Sequence, residues 1–257
     1  MTAPLHVVDD TASTQDDARA LVAAGCVHGT AVVAKRQHSG RGRRGRSWFA
    51  GEHGLWLSVV LHVEVPVSRA PRIPIAACVA IAEALDATVG AAAGAASSVF
   101  IKWPNDLLVP AADTGTALGP FRKAGGLIVE AVDVDATTLK TCVLGVGINV
   151  RAPDDGFPDD VTATAGHLAR AFDDDARVAL ARAVVASLLD IGARVDDDAF
   201  EHVLTTLKAR SATLKRRVTV EGITGRAIDF DHDGALVVLA DDGRRHTIRA
   251  GDVALIG

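Results

Sequence analysis

The chain has 257 residues, 49% hydrophobic and 23% charged, with a formal net charge of -5. That length buries a sizeable core, and that balance excludes a disordered chain. No apolar run reaches the length of a membrane span, and Met1-Thr2-Ala3-Pro4 leads into a charged segment with no secretory core.

Three dispersed cysteines, Cys26, Cys78 and Cys142, read as free thiols of a reducing cytosol, so a cytoplasmic protein is expected. The nine histidines form no ligand pairing such as HExxH, so no structural metal is expected.

In chain order, Leu5 to Asp9 reads as a short strand. Ser13-Thr14 then caps a helix, with Asp17 in a box-like position and Gly25 ending it. Capping alone explains Ser13 and Thr14, yet it leaves a second hydroxyl for a polar ligand group at a helix N-terminus. Thr30 to Ala34 is a β-branched strand that feeds the Arg/Gly stretch at 37–48, and Leu55 to His62 is another strand. Pro71 and Pro74 open a helix to about Val89, apolar on most faces and therefore buried.

Ala91 to Ala96 is a loop of small residues. Ser98 to Trp103 is a strand, broken at Pro104-Asn105 and resumed from Asp106 to Val109. Pro110 to Arg122 has no period and reads as a mobile loop. Gly125 to Val134 and Leu139 to Val150 form an antiparallel hairpin, and Pro153 to Asp160 an acidic loop. Thr162 to Phe172, Asp174 to Val195 and Asp197 to Arg210 read as three helices, with aspartates at their positive N-termini.

The composition changes at Ser211. Beyond it lie short alternating runs, with Asp233-Gly234 and Asp242-Gly243 as two-residue hairpin turns. The expected architecture is therefore α+β, not doubly wound. A catalytic domain at 1–210 has a mixed, largely antiparallel sheet with helices, and a small SH3-like β-barrel follows at 211–257.

Four motifs carry chemistry. The first runs from Gln37 to Trp48, where Arg41, Arg43, Arg44 and Arg46 are interleaved with Gly40, Gly42 and Gly45. Cations concentrated on a glycine-rich loop of an acidic chain suit a small anion: arginine forks grip carboxylate and phosphate oxygens, and glycine lets the backbone approach. The loop also spells G-x-G-x-x-G, but no apolar helix follows the glycines, which rules out a dinucleotide fingerprint. A solvated basic loop is the plain alternative.

The second motif, Lys102-Trp103-Pro104-Asn105-Asp106, sets a cation, an amide and a carboxylate around a strand-breaking proline. A Lys102–Asp106 structural pair with Trp103 in the core explains it equally. The third, Lys123-Ala124-Gly125-Gly126, brings a cation into a strand beside two glycines. The fourth, Gly145-Val146-Gly147-Ile148-Asn149, allows close approach to a strand and adds an amide, unless Asn149 is merely tied into the ladder.

Together, Ser13-Thr14, Gln37 with GRGRRGRSW (Gly40 to Trp48), KWPND (Lys102 to Asp106), KAGGLIVE (Lys123 to Glu130), GVGINV (Gly145 to Val150) and the DG-turned C-terminal region make the chain resemble the biotin protein ligases. The resemblance spans nearly the whole sequence. It implies the fold shared by class II aminoacyl-tRNA synthetases and biotin–lipoate ligases. It also implies the activity: biotin and ATP give biotinyl-5′-adenylate and pyrophosphate, and biotin passes to one lysine of a biotin carboxyl carrier domain.

The first strand starts near residue 5, leaving no room for an N-terminal winged helix, so the resemblance is to the short class and DNA binding is not expected. Gln15 stands where many members have asparagine.

By position, the resemblance assigns Ser13, Thr14, Gln37, Gly40, Arg41, Lys123 and Gly126 to biotin. It assigns Arg43, Arg44, Arg46, Trp48, Asn105 and Asn149 to ATP and the adenylate, with Trp48 stacked on adenine. Arg43, Lys123 and Asp106 are the catalytic set, Asp106 orienting or deprotonating the acceptor lysine. Mg²⁺ accompanies ATP, with no membrane partner, and a weak or ligand-dependent homodimer stays open. The alternatives are a lipoate ligase, whose loop usually reads RRxSGG, and a non-catalytic nucleic-acid-binding module, which an acidic chain disfavours.

Overall fold

The computed structural model describes residues 3–90, 99–111, 118–168 and 172–256. The loop expected at 91–96 and residues 112–117 of the loop expected at 110–122 lie outside these.

The first sheet has seven strands. They are β1 (Leu5–Thr11), β2 (Ala31–Gln37), β3 (Gly54–Pro66), β4 (Phe100–Lys102), β5 (Asp106–Pro110), β6 (Phe121–Val134) and β7 (Thr138–Asn149), in the spatial order β1-β2-β3-β7-β6-β5-β4. Only β1 and β2 run parallel, joined by helix α1 (Thr14–Ala23), and every other pairing is antiparallel. The mixed, largely antiparallel α+β sheet expected from the sequence is what forms.

Helix α2 (Ile73–Leu85) is apolar nearly all round because both its faces are covered. One packs on the sheet and the other on α4 (Asp174–Leu188) and α6 (Asp197–Ala209). Leu55, Leu57, Val59 and Leu61 of β3 and Leu144, Val146 and Ile148 of β7 alternate onto this core face. The opposite face is left to α1 and the Arg/Gly loop.

Three expectations change in the first 210 residues. Thr162 to Leu168 does not form the helix expected to Phe172, whose residues 169–171 lie outside those described: a single turn, α3 (Asp159–Thr162), precedes an irregular segment to Leu168. That segment instead gives its backbone to β6, where Lys123 N donates to Thr164 O at 2.7 Å and Gly166 N donates to Lys123 O at 2.8 Å. The long helix from Asp174 breaks after Leu188 into the short α5 (Ile191–Arg194). Asp17 does not complete a capping box, because its carboxylate accepts from Thr11 Oγ1 at 2.7 Å.

The second sheet contains β8 (Arg217–Val220), β9 (Ile223–Phe230), β10 (Leu236–Ala240), β11 (Arg245–Ile248) and β12 (Ala254–Ile256), in the order β11-β10-β9-β8-β12. It is an antiparallel sheet rather than the expected closed barrel: the short edge strands β11 and β12 do not pair with each other. Gly234 and Gly243 take φ of 79° and 81°, as the two DG turns require.

The two sheets lock together through Trp103, which is buried and donates its indole N–H to Gly234 O at 2.8 Å. Arg72 reinforces the joint, donating to Asp233 at 2.8 Å and to Asp197 at 2.8 Å. Among the described residues, no helix is long and apolar enough to cross a membrane.

Candidate active site

Four segments that are distant in sequence form one row across the first sheet. The register pairs Trp56 with Gly147, Gly147 with Gly126, Gly126 with Asp106, and Asp106 with Lys102. Directly paired residues share a face, so the KWPND, KAGG and GVGIN motifs meet side by side. The next row pairs Ser58 with Gly145 and Gly145 with Ile128. Gly126, Gly145 and Gly147 line the cavity of about 380 Å³ that opens over this row, Gly145 lying under Gln15 and Gly147 under Trp48.

The Arg/Gly loop roofs this cavity. It closes on itself through Trp48 N to Gly40 O at 2.8 Å and Gly42 N to Arg46 O at 2.7 Å. Arg44 takes φ 56°, a left-handed conformation that disfavours side chains. Its guanidinium is held by Glu221 at 2.6 Å and Asp252 at 3.7 Å, and Arg46 also pairs with Asp252. The second sheet therefore anchors the loop, and Arg44 does not itself line the cavity.

Trp48 lies against Gly147, where an added Cβ would come within 2.8 Å of the indole nitrogen. Lys123 Nζ sits 5.1 Å from the Trp48 ring centroid. The indole N–H is buried without a hydrogen-bond partner.

At one end of the cavity, Ser13, Thr14 and Gln15 are buried at the start of α1. Ser13 takes the N-cap position but makes no side-chain cap bond. Gln37 Oε1 accepts from both Thr14 N, at 2.8 Å, and Thr14 Oγ1, at 3.0 Å. With that proton committed, the 2.8 Å contact between Thr14 Oγ1 and Ser58 Oγ has Ser58 as donor. Gln15 turns its amide nitrogen toward Val143 O at 3.5 Å and leaves Oε1 buried and unpartnered. Gly40 is buried behind this end, and Arg41 lines the cavity with its guanidinium on Asp16 at 2.8 Å.

At the other end, Arg43 donates to Asn105 Oδ1 at 2.7 Å, and Asn105 Nδ2 donates to Leu127 O at 2.7 Å. Asp106 bridges Lys123 at 2.6 Å and Lys102 at 2.9 Å. Burial alone would raise its carboxyl, but the two ammonium groups outweigh it and hold Asp106 below the usual carboxylate range. Asn149 is buried and donates to Gly166 O at 3.1 Å. Phe157, Val161, Thr164 and Ala165 form an apolar wall beside it.

The sequence reading had not singled out Ser58, that apolar wall or Asp252. Ser58 interrupts the hydrophobic run of β3 on the site face, which is the one signal that marks it. Among the described residues, no group of three His, Cys, Asp or Glu is arranged to hold a metal. Burial pushes the Cys142 thiol up to about 12 and raises that of Cys78 too, so neither is a nucleophile at neutral pH.

A polar pocket, a cation pair and an unpartnered indole around one cavity suit a ligand that joins a small polar ring to a nucleotide phosphate. Residues 12–149 match the biotin/lipoate A/B protein ligase family. The chain belongs to that family. Residues 213–255 of this ligase match the biotin protein ligase C-terminal domain.

The ligase is 33% identical over 260 residues to the biotin–[acetyl-CoA-carboxylase] ligase of Mycobacterium tuberculosis, covering 97% of this chain and 88% of the relative. It is 28% identical over 256 residues to the bifunctional ligase/repressor BirA of Bacillus subtilis, covering 96% of this chain and 72% of the relative. The biotin protein ligase of Aquifex aeolicus in complex with biotin and ATP superposes with a TM-score of 0.75 at 21% identity, covering 98% of both chains, and so shares the fold.

Proposed function

We propose that the ligase activates biotin with ATP and then transfers it to a lysine of a biotin carboxyl carrier domain. The observation that carries this reading is the single cavity that holds the Ser13–Thr14–Gln37 pocket at one end and Arg43, Lys123 and Trp48 at the other. The C-terminal domain match favours biotin over lipoate as the substrate.

In the first step a biotin carboxylate oxygen bonds to the α-phosphorus of ATP, and the bond to pyrophosphate breaks. Two anions must meet, so the chain's work is charge stabilisation and alignment. Arg43 and Lys123 face that junction, and each charge-assisted hydrogen bond contributes about 1.5–3 kcal/mol. Glycine at 145 and 147 gives Gln15 and Trp48 the room to pack down on the sheet, where each faces the ligand. Ser13, Thr14 and Gln37 hold the ureido ring with Gly40 and Arg41 beside them, and the free Gln15 Oε1 accepts from a ring N–H.

Trp48 and Asn149 flank the adenosine, with Arg44 and Arg46 keeping the roof in place. Mg²⁺ would enter with ATP and neutralise phosphate charge, and among the described residues no cluster of His, Cys, Asp or Glu is arranged to hold it, so its ligands would come mainly from the nucleotide and water.

In the second step the acceptor lysine gives its ammonium proton to solvent, the neutral nitrogen attacks the biotinyl carbonyl, AMP leaves, and a second N–H proton is released as the amide forms. A carboxylate held below its ordinary range is a poor base. Asp106 therefore orients the incoming ammonium and stabilises the charge that develops, rather than removing the proton.

The test is substrate-dependent pyrophosphate release. Purified protein with ATP and Mg²⁺ should release pyrophosphate with biotin and not with lipoate.

A further inference from the structure

Strand β3 carries a single hydroxyl in an otherwise apolar stretch. Ser58 lies between Leu57 and Val59, is 0% exposed, and pairs in register with Val32 on β2 and Gly145 on β7. A β-branched apolar residue suits such a position in a strand, and a buried hydroxyl costs free energy unless it is hydrogen-bonded. Among the described residues Ser58 Oγ meets one partner, Thr14 Oγ1 at 2.8 Å, 44 residues away in sequence.

One backbone amide settles which way the protons of this chain point. Thr14 is the first residue of α1, so its N–H has no partner within the helix and can only donate. The atom it meets on Gln37, at 2.8 Å, is therefore the amide oxygen Oε1. That oxygen only accepts, so the Thr14 hydroxyl donates to it at 3.0 Å. With its proton spent, Thr14 Oγ1 accepts from Ser58. A hydroxyl oxygen has two lone pairs, so one remains, and it is what Thr14 offers to a ligand in the cavity it lines. Threonine on a helix divides between two χ1 rotamers. Ser58 and Gln37 grip the hydroxyl from two sides and select one of them.

We propose that Ser58 is a positioning residue for the biotin ring. It acts through Thr14, holding that hydroxyl as an acceptor for a ring N–H, and does not itself touch the ligand, because it has no exposed surface. The proposal rests on the ligase reading. It adds a residue on the sheet, outside both the start of α1 and the Arg/Gly loop, that sets the affinity for the ring.

The experiment measures biotin-dependent pyrophosphate exchange in wild type, Ser58→Ala, Thr14→Val and the double variant, with biotin and ATP varied separately. Ser58→Ala should raise the KM for biotin about fivefold, as expected for the loss of one buried hydrogen bond, and leave kcat and the KM for ATP within about twofold of wild type. Thr14→Val removes the hydroxyl through which Ser58 acts. In that background Ser58→Ala should change the KM for biotin by less than about twofold, because residues that act through one another are not additive. Ser58→Cys keeps a similar volume with a weak donor, and its KM for biotin should fall between those of wild type and Ser58→Ala.

An unchanged KM for biotin in Ser58→Ala would overturn the proposal. So would an equal rise in the Thr14→Val background, which would show Ser58 acting independently of Thr14, or a matching rise in the KM for ATP, which would assign the hydroxyl to the fold. If Ser58→Ala does not fold, Ser58→Cys carries the same comparison, and failure of both to fold by circular dichroism would also overturn the proposal. Absence of exchange with biotin in the wild type would overturn the ligase reading instead.

Discussion

Asp106 Oδ1 lies 2.6 Å from Lys123 Nζ, so the carboxylate assigned to the transfer step also positions a cation assigned to the activation step. Asp106→Asn should therefore impair both steps, and unequally. Biotin transfer measured from preformed adenylate should slow at least tenfold more than adenylate formation, because only transfer uses the carboxylate against an incoming ammonium. Equal slowing in single-turnover assays would remove Asp106 from the transfer step.

The depressed Asp106 carboxyl sets a pH dependence. Its folded-state pKa lies below the unfolded value, so its stabilising contribution is complete above the unfolded aspartate value of roughly 3.9 and is lost as pH falls through the folded value. The stability difference between wild type and Asp106→Asn should be flat above about pH 5 and shrink in more acidic solution. Chemical denaturation at a series of pH values measures it. The transfer rate should meanwhile climb toward alkaline pH, following the acceptor lysine with its ordinary pKa near 10.4, with no inflection from Asp106 between about pH 5 and 8.

Gln15 should show opposite effects on stability and on binding. Its Oε1 is buried without a donor in the ligand-free protein, and such an atom costs about 1–3 kcal/mol. Gln15→Met removes the acceptor at similar volume. Thermal unfolding of the ligand-free variant should shift upward by roughly 2–4 °C. The KM for biotin should rise by about tenfold, equivalent to about 1.4 kcal/mol, with the KM for ATP unchanged. A lower Tm together with normal biotin binding would show that the amide serves the fold alone.

Gly147 tests the packing of Trp48 on the sheet. An alanine there puts its Cβ 2.8 Å from Trp48 Nε1, so the indole must move. Gly147→Ala should weaken ATP binding by about an order of magnitude through the displaced Trp48, a cost of about 1–3 kcal/mol for overpacking. Biotin affinity in the absence of ATP should change less, and isothermal titration with each substrate separates the two.

The sheet and its hairpins were legible in the sequence because period-two alternation and the DG turns are local signals. Lys102, Asp106, Lys123 and Gly147 could be picked out as chemistry-bearing residues, but their convergence could not: it depends on a register that crosses four strands. Ser58 escaped because one polar residue in a hydrophobic run has an ordinary local explanation, while the resemblance marked the position of Gln15 but not the buried, donorless Oε1, which follows from its contact with distant Val143.

The segment after Thr162 departs from the helix expected of it because Lys123 on β6 captures its backbone at Thr164 and Gly166. That the second sheet stays open is not legible in the sequence, because β11 and β12, of 4 and 3 residues, are too short to carry a pattern that says whether they meet.

The central claim is that one cavity joins a biotin-shaped pocket to a phosphate-binding cation pair. Pyrophosphate release by the wild-type protein with ATP and Mg²⁺, measured with biotin and with lipoate, tests it most directly. The account predicts release with biotin alone, abolished in Lys123→Ala. Release with lipoate, or release that ignores both acids, would contradict it.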